Sequence, residues 1–188
     1  KYYYSTKGDN LHTTMTSPTF NLTAATNASF AVKANYEVET GYDYVYVNVL
    51  DAATGAKLAT IDTIGDENTA GARETSKGIW VDKVYDLSAF NGKNVKVQFE
   101  YVTDGGLAPE GFAFDEAKLT VDGAVKFTDG AEGTPAFTLD KATVSNGTDF
   151  KDHFYYLEWR NYAGSDKALE YARGVKYNTG LVVWYGDD

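Results

Sequence analysis

Four acidic residues, Asp9, Glu39, Asp43 and Asp115, stand where their charge calls for a partner. Asp43 opens the stretch Gly41 to Leu50, in which Asp43, Val45, Val47 and Val49 alternate with Tyr42, Tyr44, Tyr46 and Asn48. That is the period of a β-strand packed on one side. The valine face is the expected core face, so Asp43 is expected to aim a carboxylate inward, where an uncompensated charge is costly. Asp115 is in phase with Ala117, Leu119 and Val121 and reads the same way. Glu39 lies just ahead of the Asp43 strand, and Asp9 sits in the turn Gly8-Asp9-Asn10. Two inward carboxylates must be protonated, meet arginine or share a metal ion. Arg73, Arg160 and Arg173 are the only arginines, and none falls in a strand read as part of the main sandwich. Oxygen-only ligands suit Ca²⁺ over Zn²⁺. The expectation is a structural Ca²⁺ held by Asp9, Glu39, Asp43 and Asp115, tying the N-terminal segment to the sheet. The plain alternative is carboxylates that reach solvent at strand ends.

Other constellations favour ordinary structural roles. Asp104, Asp129 and Glu132 fall in turn-like stretches and read as solvated loops before a second metal site, as does the charged run Asp149 to His153. His153 begins a strand with no second His or Cys nearby, which fits a hydrogen-bonded structural histidine. The tyrosines could stack on sugar rings, but Tyr42, Tyr44 and Tyr46 on one strand face are expected to be covered by packing. No Gly-x-Ser-x-Gly elbow is present for a serine hydrolase.

The formal charge of −10 argues against nucleic acid and against an anionic membrane, both of which need a basic surface. No apolar run approaches a membrane span. The absence of cysteine removes disulfides and thiolate metal sites. It does not place the chain in the cytosol, since many secreted proteins of Gram-positive bacteria also lack cysteine. Asn21, Asn27 and Asn146 lie in Asn-x-Ser/Thr triplets, a weak signal in Thr-rich sequence.

Strands must position the acidic residues. Ser29 to Glu39, Val95 to Tyr101 and Gly111 to Val121 alternate cleanly, Ile79 to Leu87 reads as another strand, and turns separate them. Thr40-Gly41 is short enough to make the strands on either side antiparallel neighbours. Asp51 to Gly78 reads as a surface excursion apart from a short strand at Leu58 to Ile61. The class is mostly β: a jelly-roll sandwich over 1–123, closed by Asp122-Gly123, then a smaller β-rich extension over 124–188. In the extension, strands are expected near Phe127, Phe137 to Leu139 and His153 to Trp159, two helical turns at Ser165 to Arg173, and a last strand from Thr179-Gly180. A chain opening and closing on strands is expected to be a fragment of a larger polypeptide.

The order of several motifs resembles a known family. They are Tyr3-Tyr4-Ser5-x-Lys7-Gly8-Asp9, Tyr36-Glu37-Val38-Glu39-x-Gly41-Tyr42-Asp43-Tyr44, Tyr85-Asp86-Leu87-Ser88-Ala89-Phe90, Tyr101-Val102-Thr103-Asp104-Gly105-Gly106 and Gly111-Phe112-x-Phe114-Asp115, followed by Asp129-Gly130-Ala131-Glu132, His153 to Asn161 and Gly180 to Tyr185. Together they resemble the MAM-like accessory region of secreted bacterial zinc metallopeptidases of the immune inhibitor A type. The resemblance implies an extracellular, noncatalytic region whose partners are the parent's catalytic domain and, further out, protein substrates or cell-surface glycans. It implies that 124–188 includes the return toward the peptidase body, and it too points to structural calcium. The zinc-binding His-Glu-x-x-His helix of such enzymes is missing: His12 and His153 lie far apart, and neither has the following Glu. No zinc and no proteolysis are therefore expected of this segment. The alternative function is an extracellular carbohydrate-binding β-sandwich module.

Overall fold

Alternation of buried and exposed residues along nearly every long strand sets this architecture. The computed structural model describes the chain except residues 68, 149–152, 162–165, 175–177 and 188. In chain order the strands are β1 (Tyr2–Tyr4), β2 (His12–Thr16), β3 (Phe20–Asn21), β4 (Ala28–Glu39), β5 (Tyr44–Asp51), β6 (Lys57–Ile64), β7 (Arg73–Thr75), β8 (Val81–Asp86), β9 (Asn94–Val102), β10 (Gly111–Val121), β11 (Ala124–Asp129), β12 (Thr138–Asp140) and β13 (Thr143–Ser145). After them come β14 (His153–Arg160), a helix α1 (Asp166–Arg173) and β15 (Gly180–Asp187).

The strands up to β13 form two antiparallel sheets. One runs β13-β1-β10-β4-β7, with β11 also on β10 and β8 also on β4; the other runs β12-β2-β9-β5-β6, with β3 also on β9. Their apolar faces share one core, to which the first sheet gives Tyr3, Phe30, Val32, Phe112 and Phe114, and the second gives Met15, Val45, Val47, Val97 and Phe99. Phe99 is its aromatic centre, with ring centroids 5.0 Å from Phe112 and 4.6 Å from Phe114. The result is a mostly β, two-sheet sandwich, as the period-2 pattern predicts.

Three expectations are corrected. First, β4 and β5 are not neighbours in one sheet. Thr40 to Asp43 carries the chain from one sheet to the other, with the Asp43 N–H donating to the Glu39 carbonyl at 2.9 Å and Gly41 at a φ of +81°. Both strands carry an apolar face, and facing sheets bury both. Second, Asp122-Gly123 does not close the sandwich. Asp122 (φ 49°) and Gly123 (φ 78°) form a two-residue turn in which Val121 pairs with Ala124, so β11 continues the sheet of β10. Asp-Gly suits that turn because both positions need positive φ. With β12 on β2 and β13 on β1, the compact unit runs Lys1–Gly147, and the second is Thr148–Asp188. Third, Arg73 lies in a sandwich strand, β7, at the sheet edge, where its guanidinium meets Glu37 at 2.5 Å.

The second unit pairs β14 with β15 antiparallel, from His153 opposite Asp187 to Arg160 opposite Gly180. The helix α1 joins them, within the expected bounds. The charged run Asp149 to Asp152 lies outside the described residues.

Candidate functional site

Asp43 immediately precedes β5 and, in phase with its valines, is fully buried. Among the described residues, no cationic side chain forms an ion pair with it. Its Oδ1 accepts the Asp104 N–H at 3.2 Å, while Oδ2 is buried without a hydrogen-bond donor among the described residues. Burial pushes the carboxyl above its ordinary range, and the negative charges of Asp104 and Glu39 push it the same way. The Tyr101 hydroxyl is buried and likewise has no hydrogen-bond partner among the described residues; burial and the charge of Asp43 both raise it. Burial of this kind penalises the charged form relative to water unless a cation joins it.

The surrounding loops are tied together. The N-terminal turn meets the β9–β10 loop: Thr103 Oγ1 donates to the Gly8 carbonyl at 2.9 Å, and the Asn10 N–H donates to the Asp104 carbonyl at 2.6 Å. Gly65 approaches Asp43 so closely that a Cβ there would lie 2.1 Å from the Asp43 carbonyl oxygen. The Gly65 N–H donates to Glu74 Oε2 at 2.6 Å, and burial raises the Glu74 carboxyl as well. One end of the sandwich therefore holds Asp43, Glu39 at the end of β4, Asp104 and the turn that carries the exposed Asp9.

Asp115 does not join them. It follows the inward Phe114, opposite Lys33 of β4, and takes the other face of the sheet. A bulge then intervenes: the register shifts between Asp115 and Lys118, Glu116 takes a φ of 50°, and Asp115 Oδ1 accepts the Glu116 N–H at 2.7 Å. The extra residue inverts the count, which is why Ala117, Leu119 and Val121 point inward and Asp115 does not. Among the described residues, no three His, Cys, Asp or Glu side chains gather closely enough to hold a metal ion. The orphaned Oδ2 of Asp43 suits a hard cation, but backbone or water oxygens would have to complete its shell.

The remaining candidates have separate structural partners. Asp129 accepts the Tyr3 hydroxyl through Oδ2 and the Ala131 N–H through Oδ1, and Glu132 meets the N-terminal ammonium. Asp104 Oδ1 accepts the Gly106 N–H at 2.9 Å. His12 Nε2 lies 2.8 Å from Glu100 on the outer face of the second sheet, and Glu100 also accepts from Asn48 Nδ2 at 2.7 Å. Beside them Tyr44 and Tyr46 stack on each other, 5.6 Å between centroids, half-buried, whereas Tyr42 is exposed. Asn48 also accepts from Thr60, so the polar groups of this face largely serve one another. Sequence reading missed Tyr101, Glu74 and Gly65 at the Asp43 end. A glycine's need to approach a carbonyl leaves no trace in hydrophobic periodicity.

A two-sheet sandwich with acidic loops at one end, followed in the chain by a two-stranded unit, defines a modular β-rich chain of two units. The chain belongs to the immune inhibitor A-like family. Residues 1–147 match "Immune inhibitor A-like, MAM domain", and residues 148–188 match "Immune inhibitor A-like metallopeptidase, VEG domain". Over 187 residues it is 55% identical to Immune inhibitor A of Bacillus thuringiensis subsp. alesti, covering 100% of this chain and 27% of that protein. It is 34% identical over 190 residues to Pre-pro-metalloprotease PrtV of Vibrio cholerae serotype O1 (strain M66-2), covering 99% of this chain and 21% of that protein. A match to Bacillopeptidase F of Bacillus subtilis (strain 168) reaches 31% identity over 96 residues, 50% of this chain and 6% of that protein. The chain thus spans about a quarter of the length of these Immune inhibitor A and PrtV relatives.

Proposed function

We propose that this chain is a noncatalytic accessory region of a secreted, extracellular zinc metallopeptidase, and that it supports the enzyme's stability or recruits protein substrates. The observation that carries this reading is the end-to-end match to two consecutive immune inhibitor A-like segments. Incubation of the pure chain with casein and zinc tests the noncatalytic part: no cleavage is expected, and robust cleavage overturns it. A structural Ca²⁺ at the Asp43 end belongs to the same proposal, with Asp43 Oδ2 as the anchoring oxygen and Glu39, Asp104 and Asp9 supplying negative charge around it. Its support is the buried oxygen without a donor. Bound there, the ion would neutralise a carboxylate that the fold otherwise penalises. A melt with and without EGTA tests it, since an unchanged midpoint after verified metal removal rejects the ion.

The second reading, a carbohydrate-binding face, has the outward Tyr44–Tyr46 stack in its favour. Titration calorimetry against a glycan panel separates the two, because a binding module shows a sugar preference that is lost in Tyr46→Ala.

A further inference from the structure

On the second sheet, one row of residues across the strands runs Thr14, Glu100, Tyr46 and Thr63. Their neighbours along the strands, Met15, Val47 and Phe99 among them, are buried in the core, so the row points outward. At its centre the Glu100 side chain is 19% exposed and held by two donors, His12 Nε2 at 2.8 Å from Oε1 and Asn48 Nδ2 at 2.7 Å from Oε2. Asn48 is itself fully buried and fixed by accepting from Thr60 Oγ1 at 2.7 Å. A carboxylate oxygen has two acceptor positions, so each Glu100 oxygen keeps one after these bonds. The freedom of the side chain is already spent, and a ligand that uses it loses little further entropy. Beside Glu100 the half-buried Tyr44 and Tyr46 rings lie nearly parallel, at 11°. Aromatic surface next to a fixed pair of acceptors fits a ring with an apolar C–H face and hydroxyls at its rim, which is a pyranose.

We infer that this face binds a neutral, extended oligosaccharide laid across β2, β9 and β5, and that Glu100 selects it by accepting from two neighbouring ring hydroxyls. The inference rests on the carbohydrate-binding reading above, narrows it to one glycan class and one recognising residue, and leaves the accessory role intact. Three observations select this occupant. Strands lie about 4.8 Å apart, close to the length of one pyranose in an extended chain, so successive sugars meet successive strands. The Glu100 carboxylate, Asp140 opposite Thr14 at the end of the row, and the net charge of −10 all repel a uronate or sialylated glycan. A protein partner fits less well, because the row has no Leu, Ile, Met or Phe to form the apolar centre of an interface.

NMR chemical-shift mapping on the ¹⁵N-labelled chain tests this, with cellohexaose, mannohexaose and N-acetylchitohexaose as neutral probes and an oligogalacturonate as the anionic one. At least one neutral hexaose is expected to shift the β2, β9 and β5 amides with a Kd of about 1 mM or tighter, and the oligogalacturonate is expected to leave them in place. Glu100→Gln and Tyr46→Ala are each expected to weaken binding at least tenfold, whereas Val84→Ser, at an exposed position of β8 in the first sheet, leaves it unchanged. An arm that needs no variant uses the O-methylated form of the hexaose that binds: it has no hydroxyl to donate, and binding is expected to be lost. Shifts confined to residues outside this face overturn the inference and keep a carbohydrate-binding module. Shifts here that survive both Glu100→Gln and O-methylation overturn the role of Glu100. Oligogalacturonate bound here as tightly as a neutral hexaose overturns the neutral class. No shift with any of the four glycans overturns the inference and the carbohydrate reading together.

Discussion

Asp43→Asn isolates the energetic consequence of the buried carboxylate. Asparagine keeps the shape and an acceptor for the Asp104 N–H, and it replaces the orphaned Oδ2 with a neutral group. In EGTA at neutral pH the substitution relieves a buried, unpaired charge flanked by Asp104 and Glu39, and should stabilise the sandwich by about 1–2 kcal/mol. For a chain of this length that is roughly 2–8 °C in midpoint. Because burial raises the folded carboxyl above its unfolded value, the folded chain binds the extra proton between the two values, and wild-type stability falls as pH rises through that window. The mutant's advantage should therefore be near zero below about pH 4, the unfolded carboxylate range, and grow toward neutrality. On the proposed Ca²⁺ site, calcium at a hundredfold excess over its Kd should reverse the order, stabilising the wild type by about 2.7 kcal/mol and the mutant by far less. Differential scanning calorimetry from pH 4 to 8, in EGTA and in calcium, reads both effects. A mutant less stable than wild type in EGTA, with a difference independent of pH, would refute the account of Asp43 as a penalised charge.

Three further substitutions probe the sandwich at its Asp43 end, at its core and at its β10–β11 turn. Gly65→Ala should cost roughly 3 kcal/mol or more by chemical denaturation, because its Cβ meets the Asp43 carbonyl at 2.1 Å and its φ is +101°. Phe99→Ala, at the aromatic centre of the core, should cost about 3–5 kcal/mol with an unchanged urea m-value. Gly123→Ala meets no atom within 4 Å, so only the strain of its φ of +78° counts, and a loss of about 1 kcal/mol is expected. No loss at Gly123 would mean that the β10–β11 turn does not bear on the stability of the sandwich.

Local alternation made much of the fold legible. The inward valines of β5, the buried Asp43 that shares their phase, and the faces of β4 and β9 all follow from a period of two, because successive side chains of a strand must point to opposite sides. The order of motifs along the chain was enough to indicate the family. Periodicity failed where the backbone departed from regularity or where strands chose partners. A single bulge at Asp115 and Glu116 reversed the face of Asp115, and a residue count has no means of sensing an inserted step. The two-residue turn at Asp122-Gly123 kept β11 in the sandwich, and Thr40 to Asp43 became a crossing between sheets, because pairing is decided by which apolar faces bury one another across long stretches of chain. The same holds for the Asp43 end. Sequence supplied an inward acid, but only the folded arrangement brought Tyr101, Asp104, Glu74 and Gly65 around it, since contacts between residues far apart in the chain depend on three-dimensional packing and not on spacing.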